Sequence, residues 1–86
     1  MRLTQLNQPT FLQDLRMLAL FDPANLEQGI KLHRESDAEL QAAAARLHRN
    51  GILTDVDGGF LTPFGVTLVE HLDHLLTALV SPHAAN

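Results

Sequence analysis

Four cations bracket one segment of this 86-residue chain: Lys31 and Arg34 before it, and Arg46 and Arg49 at its end, with His33 and His48 beside them. Such a cluster can hold phosphates, because each cation that meets a nucleic-acid backbone releases counterions. If all four engaged a duplex, log affinity would fall with log salt at a slope of roughly −3 to −4 per subunit. Arg46, His48 and Arg49 have a plainer use, since cations near a helix C-terminus complement its negative dipole end. Gln41 lies between the two pairs, with Ala38, Ala42 and Ala45 on the same outward face. An amide there can read adenine and an alanine can meet a thymine methyl. A smooth alanine face equally suits close packing against another protein.

Two further groupings stand on the last predicted helix. Glu70, His71, Asp73 and His74 fall within five residues. They offer two or three ligands for a metal and no assured fourth, so the reading is a solvated polar face. Leu68, Leu72, Leu75 and Leu79 step by four, three and four, flanked by Val69, Leu76 and Val80. That spacing resembles a coiled-coil seam and is wider than one small core needs. It predicts a homodimer with Leu68, Leu72, Leu75, Leu76 and Leu79 at the interface. Catalysis has no visible apparatus: there is no Cys, no glycine-rich phosphate loop, and no base–acid arrangement around Ser36 or Ser81. We expect no enzyme activity, metal or cofactor.

The elements that position these residues follow from spacing and punctuation. Residues 1–9 read as an irregular lead-in, 10–80 as a single domain and 81–86 as a frayed tail after Ser81-Pro82. Thr10 and Gln13 fit a capping box for a helix running to about Leu20. Asp22-Pro23 suits the start of a short second helix over 23–32, although Gly29 weakens it and residues 29–33 read alternatively as extended. Ser36 or Asp37 begins the third helix, which carries the stripe Leu40, Ala43, Ala44 and Leu47 to about Asn50. Gly51 suits the left-handed residue after a helix. Ile52–Val56 and Phe60–Thr62 then form a hairpin around Asp57-Gly58-Gly59, with Asp57-Gly58 and Gly58-Gly59 both fitting a two-residue loop. Thr62-Pro63 supplies the N-cap and first position of a long last helix.

Ten acidic residues face six basic ones, for a net charge of −4 with His neutral. A small nucleic-acid binder is ordinarily basic, so this balance argues against DNA unless the cations are gathered on one face. No apolar run approaches a membrane span, and the N-terminus does not read as a signal peptide. The absence of Cys fits a reducing compartment, and the expected location is cytoplasmic.

The arrangement of helices around a hairpin, with Leu47, the Gly51-Ile52-Leu53-Thr54 step, Asp57-Gly58 and Leu61-Thr62 leading to Gly65, resembles a winged helix-turn-helix domain. More narrowly, Gly29-Ile30-Lys31-Leu32-His33 with Asp57-Gly58-Gly59-Phe60-Leu61-Thr62 is similar to a family of small uncharacterised bacterial proteins, some labelled DNA-binding. The resemblance implies a mainly α fold with a hairpin wing and a long C-terminal helix, and supports dimerisation through that helix. It also implies double-stranded DNA as partner and a role in transcription regulation. Lys31, Arg34, Arg46 and Arg49 would then hold phosphates, and Gln41 would touch bases. The sequence departs from that pattern at the wing, which carries Asp55 and Asp57 and no cation, and at the start of the third helix, where Glu35, Asp37 and Glu39 would repel phosphates. The competing expectation is a module of the same shape that binds protein and not DNA.

Overall fold

A proline without an amide hydrogen opens the first helix. In the computed structural model, which describes residues 7–33, 35 and 37–80, α1 spans Pro9–Leu18 with Gln8 as N-cap. The capping box expected at Thr10 does not form, and no side chain caps this helix. Pro9 makes the cap less necessary, because its fixed φ and missing donor already suit the first turn. The helix stops at Leu18, where Leu20 and Phe21 donate to the Met17 and Leu18 carbonyls at 3.2 and 3.1 Å.

Residues 23–32 are not the short helix the sequence suggested. Asp22 Oδ1 accepts from the Ala24 amide at 2.9 Å, a local side-chain bond that competes with helix propagation. Two tight turns follow, closed by Asn25 onto the Asp22 carbonyl and Gln28 onto the Asn25 carbonyl. The chain then extends as β1, Ile30–Lys31, in line with the alternative reading of residues 29–33. What decides the matter is distant in sequence: Ile30 and Lys31 pair antiparallel with Gly59 and Gly58.

The next helix, α2, spans Ala38–Arg49. Asp37 is its N-cap and accepts from the Glu39 amide at 2.7 Å; Ser36 and Arg34 lie outside the described residues. Ala43, Ala44 and Leu47 are buried from this helix, as the spacing predicts. Gly51 takes φ +78° after the Asn50 cap. Strands β2, Leu53–Asp55, and β3, Gly58–Leu61, follow. They complete an antiparallel sheet of order β1-β3-β2.

The hairpin turns one residue earlier than the Asp57-Gly58 loop and two earlier than the Gly58-Gly59 loop. Asp55 faces Gly58, so Val56 and Asp57 form the connection. Leu53 faces Leu61, so β3 carries one residue more than β2 between the two pairings. Gly58 and Gly59, with φ +122° and +73°, stand inside the strand and not in the loop. A side chain at Gly58 would put Cβ 2.3 Å from the Ile30 carbonyl oxygen. These glycines therefore serve β1 pairing and the irregular register, a use that a two-stranded reading cannot reveal.

The last helix, α3, spans Pro63–Val80. The Thr62 hydroxyl accepts from the Gly65 amide at 3.1 Å and donates to the Gly51 carbonyl at 2.6 Å. One residue thus caps α3 and ties it to the end of α2. Gly65 completes that junction: its Cβ would lie 2.3 Å from the Ile52 carbonyl oxygen. The core joins Met17, Leu18 and Phe21 of α1 and its C-terminal turn to Ala43, Ala44 and Leu47 of α2. Ile52, Leu53, Leu61, Val69 and Leu72 complete it. The molecule is mainly helical, with three helices and a small three-stranded sheet among the described residues.

Candidate functional site

Of the four cations, Arg34 lies outside the described residues and Arg46 is engaged within the fold. Arg46 turns onto α1, where its Nε and Nη2 lie 2.9 and 2.8 Å from Asp14 Oδ1. Nη2 also donates to Gln13 Oε1 at 3.3 Å. Both side chains of the Asp14–Arg46 pair are only 24% exposed. Charge-assisted bonds of this length are the strong ones, so Arg46 is engaged in joining α1 to α2. Lys31 stands on β1. Its side chain is 78% exposed and its Nζ lies 3.9 Å from Asp57 Oδ2, a loose surface pair that solvent screens. Arg49 is exposed at the end of α2. His48, beside it, places Nδ1 3.1 Å from the Leu53 carbonyl oxygen, a link from helix end to first hairpin strand.

Gln41 is half-buried, and its Nε2 donates to the His33 carbonyl at 3.1 Å. The amide therefore braces the connector leading into α2. Ala38 and Ala42 are exposed on the same helix and Ala45 is half-buried. A groove of about 290 Å³ runs between this face and the hairpin, lined by Leu32, His33, Gln41, Ala45, Val56 and Asp57. Three of its residues are apolar, and Val56 at the hairpin tip is more than half exposed. Asp37 and Glu39 at the start of α2 and Asp55 at the end of β2 are all exposed. The face is thus a shallow, partly apolar groove with one acid, Asp57, in its lining.

The leucine stripe of α3 divides along its length. Val69 and Leu72 are in the core and Leu68 is half-buried against it. Leu75, Leu76, Leu79 and Val80 are 56%, 41%, 72% and 78% exposed. His71 and His74 are exposed too, and among the described residues no three ligating side chains gather as a metal site. No described helix is long and apolar enough to cross a membrane.

Reasoning from sequence missed the Asp14–Arg46 pair. The only signal was a lone acid and a lone base on the polar faces of two predicted helices, which says nothing about how those helices dock. It also offered residues 29–33 as extended only as an alternative, because the two residues of β1 are too few to show alternation.

The chain belongs to DUF5669, a family of unknown function, whose model matches residues 5–80. No curated protein and no solved structure matches it.

Proposed function

We propose that this protein is a non-catalytic, winged-helix-like interaction module that works as a homodimer through α3 and presents its α2–hairpin groove to another protein. The observation that carries this reading is the charge at the groove. Asp57 lines it, exposed Asp37 and Glu39 stand at the start of the same helix and Asp55 at the end of β2, while Arg46 on α2 is held by Asp14. A phosphate backbone would meet mostly like charge there. A basic segment with one apolar anchor fits better, the anchor resting on Leu32, Ala45 and Val56. The segment expected to supply the helix before a recognition helix is two turns and a strand, which also weakens the helix-turn-helix analogy.

A second reading, DNA binding in transcription regulation, is favoured by one feature. Helix α2 runs directly into a hairpin, and exposed Arg49 and Lys31 stand at the end of that helix and on the adjoining strand. It rests chiefly on fold analogy, which does not establish function.

Titration of labelled mixed-sequence duplex DNA at about 50 and about 200 mM salt separates the two. The protein-binding reading expects no measurable complex at either salt, from protein verified as folded. Micromolar binding with a slope of roughly −3 to −4 per subunit would overturn it and promote the DNA reading.

A further inference from the structure

We propose that a second copy of this chain covers the far half of α3 in an antiparallel two-fold pair, with His71 at the axis. The proposal rests on the self-association named above and adds its surface and register. It is independent of what meets the α2–hairpin groove.

Every residue from Asp73 to Val80 is exposed, with Asp73 and Leu76 bordering a hollow that Leu18, Phe21 and Pro23 also line. Beyond His74, the segment Leu75–Val80 contains no charged residue. A helix end of that composition is ordinarily buried. Two apolar lines run along α3. The first, Gly65, Val69 and Leu72, is buried in the monomer. The second is Phe64, Leu68, Leu75 and Leu79. At about 100° per residue these four fall within about 60° of arc, along nearly the whole helix. Phe64 is 56% exposed, like Leu75. Glu70 and Asp73 lie roughly 150° away from the centre of this line, so it carries no acid.

The spacing selects the occupant. The intervals between Phe64, Leu68, Leu75 and Leu79 are four, seven and four residues, the same in either direction. Two antiparallel copies therefore match in one register: Phe64 faces the partner's Leu79, and Leu68 faces the partner's Leu75. This is the self-complementarity that a two-fold interface requires. His71 is the polar residue in the gap between Leu68 and Leu75, and only in this register do the two copies of it meet at the axis. A shift by one turn would set imidazole against leucine, so His71 acts as a register mark. Opposed helix dipoles favour the antiparallel sense. Phe64, Leu75 and Leu79, 56%, 56% and 72% exposed, supply the open apolar surface of this line.

The chain has no Cys, which makes single-cysteine variants clean reporters. Sedimentation at about 100 µM, where a pair with a dissociation constant near 10 µM is mostly assembled, should give twice the 9.5 kDa chain mass. Under mild oxidation a mixture of Phe64→Cys and Leu79→Cys chains should form mixed disulfides, while either variant alone should stay uncrosslinked. Circular dichroism confirms that each variant is folded. A monomeric wild-type mass overturns both the self-association and this register. A dimer in which Leu79→Cys crosslinks to itself is parallel and overturns the register alone. A dimer whose mixture gives no crosslink places the interface elsewhere and does the same.

Discussion

Helices α2 and α3 treat their apolar residues differently. On α2 the stripe of Ala43, Ala44 and Leu47 is wholly inside the monomer, and the outward face is alanine and polar residues. On α3 burial ends at Leu72, and four large apolar side chains continue past it into solvent. The first helix is satisfied by its own chain. The second is satisfied only in part, and its far end adds little to the monomer core.

Substitutions on the two helices should therefore separate stability from assembly. Leu47, 3% exposed, leaves a cavity when truncated, and Leu47→Ala should cost about 3 kcal/mol in urea unfolding. That is a large part of the roughly 5–10 kcal/mol expected for a domain of this size. Leu79→Ser, measured at concentrations where wild type is monomeric, should change the same quantity by no more than about 0.5 kcal/mol. Equal losses at both positions would erase the distinction between the helices.

The junction where α2 hands over to α3 gives the next largest effect. Alanine ordinarily improves a helix by about 1 kcal/mol over glycine. At Gly65 the added Cβ would press on the Ile52 carbonyl at 2.3 Å. Gly65→Ala should therefore destabilise, by about 2 kcal/mol, and a raised melting temperature would show that the contact is easily relieved.

The two ion pairs sharpen the comparison at a smaller scale. A double-mutant cycle on Asp14 and Arg46, both mostly shielded and joined by short bonds, should yield a coupling of about 1–2 kcal/mol. The cycle on Lys31 and Asp57, separated by 3.9 Å on the surface, should yield less than about 0.5 kcal/mol and vanish in high salt. If the second coupling matched the first, Lys31 would be bound into the fold as firmly as Arg46.

Much of the architecture was legible along the chain, and the errors cluster in one place. The N-cap at Asp37, the left-handed Gly51 and the Thr62-Pro63 start of α3 each depend on neighbours within a few residues. The path of residues 22–32 and the hairpin register do not. Both depend on β1 meeting β3 across more than twenty residues, and a two-residue strand leaves no periodic trace. Gly58 and Gly59 looked like turn residues because positive φ is commonest in turns; here the same freedom admits a neighbouring strand and an extra residue. In the candidate site, exposure of Arg49 and the alanine face followed from helix spacing. The capture of Arg46 by Asp14 could not, since it requires the docking of α1 on α2.

The amino-acid sequence by itself determined the three helices of the described fold, the hairpin that separates the last two, and the caps that start and stop α2 and start α3. Those features arise from steric and hydrogen-bonding preferences that act over one or two turns. Only the tertiary structure decided that a third strand would join the hairpin, that Arg46 would face inward, and that α3 would bury half of its apolar stripe and expose the rest. Each of those outcomes is set by which surfaces meet, and contact between distant segments is a property of the packed chain and not of any window along it.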